Sequence, residues 1–310
     1  MTQKIALITN DVETTSIINH QLSDSTAEYV YKQGLPRLLS LYERYDVKTT
    51  FFFTAHIAKL IPDVVRMVLP YGHEVGSHGY SHRPEDSFDV LSIESQREHL
   101  VNSKKILEDI AGTEVISFRA PAMRVQAVTA SLLVDAGYRI DSSVSSQRMD
   151  IFMSFGVINK LNWLFAPRLP YFTATNNIFR IGESNLLEIP VSALVLPYIS
   201  TLMRMSPGLL AAIRNILAAE TKINNRPFVF LTHPNEFIDE ERHTNAVKRR
   251  SSNYFSYLLG DLLRHKLKIR NLGEEGLKYL KRELIFFRDH DYKFVTMRDY
   301  RSELINRSAE

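Results

Sequence analysis

The chain has 310 residues, is 45% hydrophobic and carries a formal net charge of +3. This suits one large globular domain or two small ones with an ample core. It has no cysteine, which excludes disulfides and thiolate metal ligands and fits a reducing compartment. Any metal must therefore be held by His, Asp or Glu. No apolar run is long enough to span a bilayer. The best stretch, 186–199, is broken by Glu188, Pro190, Ser192 and Pro197. Met1-Thr2-Gln3-Lys4-Ile5 leads almost directly into a strand-like run. That sets the expectation of a cytoplasmic protein without a signal peptide.

Taken in chain order, short apolar or β-branched runs alternate with longer helical patterns. A strand is predicted at 5–8, then a helix at 34–45, a strand at 49–53, a helix at 61–69 and a strand at 74–77. A long helix at 92–110 is followed by strands at 116–118, 138–140, 187–191 and 228–231. A helix at 276–288 and a strand at 293–296 complete the series. The alternation predicts a parallel sheet, open or closed into a barrel, and spacing alone does not choose between the two. Two stretches read as additions, 149–179 with the only tryptophan, Trp163, and 239–271 with a basic cluster.

The polar residues of interest fall just after strand runs. Asp11 and Glu13 follow the first, His78 and His82 the third, Arg119 the fourth, Asp141 the fifth and His233 the seventh. Parallel-strand enzymes place their chemistry at such C-terminal strand ends, so residues distant in sequence would meet at one mouth. His78 and His82 stand at i and i+4, a spacing that puts both on one face of a helical turn. Alone, the pair reads equally as two surface histidines. Asp11 and Glu13, at i and i+2, would face one side of a continuing strand and are costly to bury. Their plain alternative is an exposed strand end or a helix cap. Two His and one carboxylate form a common divalent-metal site that leaves positions open for water and substrate. Arg119 alone reads as an ion-paired structural residue, Asp141 as a turn or helix cap, and His233, which follows an apolar strand and precedes Pro234, as a satisfied structural histidine.

Together and in this order, the segments Thr9-Asn10-Asp11-Val12-Glu13, His73-Glu74-Val75-Gly76-Ser77-His78-Gly79-Tyr80-Ser81-His82, Ser117-Phe118-Arg119-Ala120-Pro121, Ile140-Asp141-Ser142-Ser143 and Phe228-Val229-Phe230-Leu231-Thr232-His233-Pro234 resemble the five motifs of the polysaccharide deacetylase family, the NodB-homology domain or carbohydrate esterase family 4. The resemblance runs from Ile5 to about Tyr300. It implies a single catalytic domain over 1–310, a distorted (β/α)7–8 barrel with insertions near 149–179 and 239–271. It also implies roles. Asp11 matches the catalytic base, and Glu13, His78 and His82 match the ligands of one divalent metal, zinc in the first place with cobalt, nickel or iron(II) as alternatives. Arg119 matches the residue that orients the base, His233 the catalytic acid and Asp141 its partner, and the amide N–H of Ala122 would help bind an oxyanion. Two departures stand out. The commonest first motif has two adjacent Asp, whereas Asp11-x-Glu13 is the pattern of a subgroup and leaves open which of the two carboxylates binds the metal. The aromatic residue that often follows Arg-x-Pro is replaced by Ala122-Met123.

The implied activity is metal-dependent removal of an N-acyl group, acetyl above all, from an amino sugar. The expected substrate is a cytoplasmic or cytoplasm-facing glycan, or a lipid-linked sugar intermediate. The alternatives are deformylation of a lipid-linked formamido sugar, ureide hydrolysis as in the allantoinase-like branch, and non-catalytic carbohydrate binding. The segment 242–270 holds eight Lys/Arg against one acid, Asp261, a charge of +7 that leaves −4 for the rest of a chain of +3. Tyr254, Phe255, Tyr257, Leu258, Leu259, Leu262 and Leu263 recur there at roughly helical spacing. Such a helix would lie on an anionic membrane surface or cover the barrel with a solvated basic face. No nucleic-acid motif accompanies the basic patch.

Overall fold

The computed structural model describes residues 3–19, 21–148, 162–241 and 264–309. Ten strands form one sheet: β1 (Lys4–Val12), β2 (Thr49–Phe53), β3 (Glu74–Ser77), β4 (Ser117–Phe118), β5 (Ile140–Asp141), β6 (Tyr171–Ala174), β7 (Asn177–Ile181), β8 (Leu187–Glu188), β9 (Phe228–Thr232) and β10 (Tyr292–Phe294). Their spatial order is β9-β1-β2-β3-β4-β5-β8-β6-β7, with β10 also paired to β1. Every pair from β9 to β8 is parallel, and the two pairs beyond it at the edge, β8–β6 and β6–β7, are antiparallel. The sheet curls into a half-barrel. Past β8, Ser192 reaches back to β9: its N–H donates to the Val229 carbonyl at 3.1 Å and its Oγ accepts from the Val229 N–H at 2.9 Å.

The eight strands predicted from sequence all occur, with ends shifted by a few residues. Central strands read as continuous apolar or β-branched runs because a parallel sheet is covered on both faces. Phe51, Phe52 and Phe53 have no exposed surface, and burial of each contributes roughly 1.5–3 kcal/mol. Outside the sheet lie α1 (Leu35–Arg44), α2 (Ala55–Leu60), α3 (Ile93–Ala111), α4 (Thr129–Asp135), α5 (Ser200–Met205), α6 (Pro207–Asn224), α7 (Glu274–Asp289) and α8 (Met297–Ala309). The long α3 begins where the Ser92 hydroxyl accepts from the Ser95 N–H and ends at Gly112 with φ +66°. It buries Gln96, Leu100, Ser103, Leu107 and Ala111, the three- and four-residue spacing of one face.

The region expected as an addition at 149–179 is in part integral. Its described half supplies β6, which pairs with β8, and the Ile178 N–H donates to the Ala127 carbonyl at 3.0 Å. Residues 149–161, and the stretch 242–263 that carries most of the basic and aromatic pattern, lie outside the described residues. Among the described residues no helix is long and apolar enough to cross a membrane.

Candidate active site

β1 carries the first two carboxylates to the C-terminal mouth of the sheet. Thr9 and Asp11 share a strand face, and both bond to the same nitrogen, Arg119 NH1, at 2.8 and 2.9 Å. Glu13 follows the strand end. Despite their charge, Asp11 and Glu13 are only 3% and 6% exposed, so each requires a partner.

Arg119, just past β4, has no exposed surface. Its Nε donates to the Ser142 carbonyl at 2.9 Å and its NH2 to Ser142 Oγ at 2.8 Å, while its plane lies 4.5 Å from the Phe52 ring centroid. These contacts fix the fork that holds Asp11 Oδ1. Burial pushes the Asp11 carboxyl up, but Arg119, His78 and His233 more than offset it, so the group lies below the usual carboxylate range. Asp11 is therefore an anion held on one oxygen, with Oδ2 3.7 Å from His78 Nε2.

His78 and His82 do meet, though not on a helical turn as the i, i+4 spacing predicts. The segment after β3 is irregular, and Gly79 sits at φ +67°. The loop is held from beneath by the start of α2, where the Ala55 and His56 N–H groups donate to the Gly79 and Tyr80 carbonyls, each at 2.9 Å. The two imidazoles lie 5.5 Å apart. His78 Nδ1 bonds the Arg119 carbonyl at 2.7 Å. A carbonyl only accepts, so this nitrogen carries the proton and Nε2 is left as a lone-pair donor. Burial foremost holds the ring below its ordinary pKa, keeping it neutral.

His78 Nε2 is buried and has no hydrogen-bond partner. One ligand atom each from Glu13, His78 and His82 lies within 4.8 Å of the others, with His82 Nε2 3.1 Å from Glu13 Oε2. An orphaned imidazole lone pair, a second imidazole and a carboxylate form a donor set that suits one divalent ion with open positions. The geometry favours Glu13 over Asp11 as the carboxylate donor, since Arg119 already engages Asp11. Thr15 Oγ1 donates to Glu13 Oε2 at 3.0 Å and steadies it. The Ala122 N–H points at His82 Nε2 from 3.2 Å. Ala122 and Met123 both adopt left-handed backbone, φ +53° and +54°, a costly geometry that aims this amide into the site.

His233 follows β9 and is 21% exposed at its side chain. Asp141 does not reach it. Asp141 accepts from Ser143 Oγ at 2.6 Å and from the Ser143 N–H at 3.1 Å, and pairs with the buried Glu188. The physical reason is register: Asp141 and Glu188 are partners on the adjacent parallel strands β5 and β8, so their side chains share a face. The carboxylate nearest His233 is Glu236, its Oε1 3.9 Å from Nδ1. Sequence reasoning missed Ser142, which grips Arg119, and Glu236. The first stands beside Asp141 in the same motif, and the second lies three residues past His233 on one short turn.

Residues 24–140 match the family model described as polysaccharide deacetylase. That span includes His78, His82 and Arg119. A peptidoglycan deacetylase of Helicobacter pylori is 30% identical over 111 residues, covering 36% of this chain and 37% of that protein. A peptidoglycan-N-acetylglucosamine deacetylase of Bacillus cereus is 28% identical over 86 residues, 28% of this chain and 30% of that one. The chain thus matches only about a third of the length of these curated relatives. A Mycobacterium smegmatis protein named among the polysaccharide deacetylases shares the fold with a TM-score of 0.62 at 18% identity, covering 99% of this chain and 92% of its own. An allantoinase shares it with a TM-score of 0.56 at 18% identity, covering 94% and 88%. The fold is thus shared by proteins named for different activities, and fold alone does not assign one to this chain.

Proposed function

We propose that the chain, whose residues 24–140 match the polysaccharide deacetylase family model, is a metal-dependent hydrolase removing an N-acyl group, acetyl first, from an amino sugar. The observation that carries this reading lies at the mouth: the unpartnered, buried Nε2 of His78 beside His82 and Glu13, next to an Asp11 locked by Arg119.

A divalent ion held by Glu13, His78 and His82 would supply Lewis-acid polarisation of the amide carbonyl and a more acidic water. The chain's own residues supply the proton traffic. Asp11, an anion at neutral pH, takes a proton from the attacking water through its freer oxygen, Oδ2. Arg119 keeps the other oxygen fixed, so the base stays in place as its charge changes. Water oxygen bonds to the carbonyl carbon, and the Ala122 N–H, which donates to His82 Nε2 in this structure, would turn to the oxygen that gains charge. His233 then donates a proton to the departing nitrogen as the carbon–nitrogen bond breaks, releasing carboxylate and free amine.

The named activities of the relatives, on peptidoglycan and its N-acetylglucosamine, favour an acetylated hexosamine as substrate. Retention of both histidines and Glu13 favours sugar deacetylation over ureide hydrolysis. We keep the cytoplasmic or lipid-linked placement of that sugar, and membrane contact through 242–270, as proposals that rest on sequence alone. Flotation with anionic liposomes at low salt tests the membrane contact, and absence of binding removes it.

The test of the main reading is release of carboxylate and exposure of an amine from N-acetylglucosamine oligomers and peptidoglycan fragments, followed by mass spectrometry with metal-loaded and metal-stripped protein. Asp11→Asn should lower turnover about 10²- to 10⁴-fold while keeping one ion per chain by elemental analysis. His82→Ala should lose both ion and turnover. Substantial turnover in Asp11→Asn would remove Asp11 as the base, and failure of the wild type to bind an ion would remove the metallohydrolase reading.

A further inference from the structure

An imidazole that must deliver a proton from one nitrogen needs its other nitrogen held by an acceptor. The family resemblance gives that task to Asp141, yet Asp141 is engaged by Ser143 and Glu188. On the other side of His233, the turn Pro234–Phe237 brings back Glu236, whose N–H donates to the His233 carbonyl at 2.9 Å. Its carboxylate is 1% exposed, and Oε1 lies 3.9 Å from His233 Nδ1. The carboxylate is itself held, with Oε1 accepting from Thr201 Oγ1 at 2.9 Å and from Arg204 NH2 at 2.8 Å, both on α5. Arg204 is equally buried, and its NH1 donates to the Lys268 and Arg270 carbonyls at 2.7 and 2.9 Å.

We propose that Glu236, clamped by Thr201 and Arg204, is the positioning residue of the acid, holding His233 through Nδ1 so that Nε2 is the nitrogen presented to the substrate. The proposal rests on the reading of His233 as the proton donor. Burial alone would favour a neutral Glu236; Arg204 and His233 more than offset it and keep the carboxyl below its ordinary range. The group is therefore an anion, the form that accepts an Nδ1–H.

The tautomer of His233 decides the matter. In the chain labelled with ¹⁵N-histidine, His233 is assigned by its loss in His233→Asn and its ring nitrogens are followed through a pH series to the alkaline limit. The wild type should show the proton on Nδ1, and Asp141→Asn should leave it there. The double variant Arg204→Met/Glu236→Met exchanges the ion pair for apolar groups of similar volume, a change that buried pairs commonly tolerate. It should lose the Nδ1–H preference and lower kcat on tetra-N-acetylchitotetraose about 10- to 100-fold, the usual cost of removing such an outer partner, with KM within about two-fold. A wild-type proton on Nε2, or a tautomer that follows Asp141 and ignores Glu236, overturns the proposal. Full turnover by His233→Asn would instead remove the acid role, while the tautomer still reports whether Glu236 holds the ring.

Discussion

At Asp141 two carboxyl groups meet inside the sheet. Asp141 and Glu188 are both without exposed surface, and the Ser143 hydroxyl and N–H both serve Asp141, whereas Glu188 receives only the Val144 N–H, at 3.1 Å. Burial first, and the Asp141 charge second, push the Glu188 carboxyl well above its usual range. Burial therefore favours the protonated form of Glu188 beside Asp141. Its folded pKa is raised, so its contribution to stability is complete below the unfolded value of about 4.3 and is lost as pH rises through the folded value. Glu188→Gln keeps a donor and removes the titration. Between those two values the wild type should lose about 1.4 kcal/mol per pH unit relative to the variant, read as diverging denaturation midpoints across a pH series. Parallel curves would mean that Glu188 is ionised in the fold. This pair also marks what the sequence conceals at single residues. Asp141 stands at a strand end, as its motif indicates, but which neighbour it faces depends on register with β8, a partner 47 positions later in the chain. Ser142 and Glu236 escaped notice because a serine after an Asp, or a Glu in a turn, gives no signal until Arg119 and Arg204 are seen to need them.

Among elements, the loop after β3 does most to assemble the site. The His-Gly-Tyr-Ser-His pattern identified both imidazoles, and the strand before it was legible as a buried run. The turn type was not, since i, i+4 spacing suits a helix and the observed path depends on Gly79. At φ +67°, a Cβ there would lie 3.2 Å from both the Phe88 ring and the Pro121 ring. Gly79→Ala should therefore cost about 1–2 kcal/mol for the left-handed backbone alone, with the crowding added. The loop relaxes by moving His78 or His82, so affinity for a divalent ion should fall about 10- to 100-fold in chelator competition. Unchanged affinity in a destabilised variant would show that the ligands are placed by α2 and β3 without help from the loop's shape. The strand series was readable for a different reason: parallel strands are buried on both faces and so appear as unbroken apolar runs. The β6–β7 hairpin at the sheet edge lacks that signature, with Arg180 and Ile181 exposed at its end, so in sequence it reads as an addition.

Across the molecule the site rests on two separate supports. The metal-binding half hangs on β1 and β3, tied together by Arg119 and the Ser142 contacts. The acid half hangs on β9 and on Arg204, which joins α5, the turn after His233 and the backbone of residues 268–271, with the Asn271 side chain returning a bond to the Arg204 carbonyl at 2.7 Å. Arg204→Met separates these supports. It leaves Glu236 buried beside His233 without its cation and orphans two carbonyls, and breaking one side of a buried pair costs about 3–5 kcal/mol. The denaturation midpoint should fall accordingly. None of Glu13, His78 and His82 touches this network, so ion content per folded chain should stay at the wild-type level while turnover drops. Elemental analysis on the folded fraction, with kcat measured on the same sample, separates the outcomes. Loss of the ion together with turnover would mean that the two halves are one cooperative unit, and that closure of the sheet between Ser192 and Val229 transmits the damage from α5 to β1.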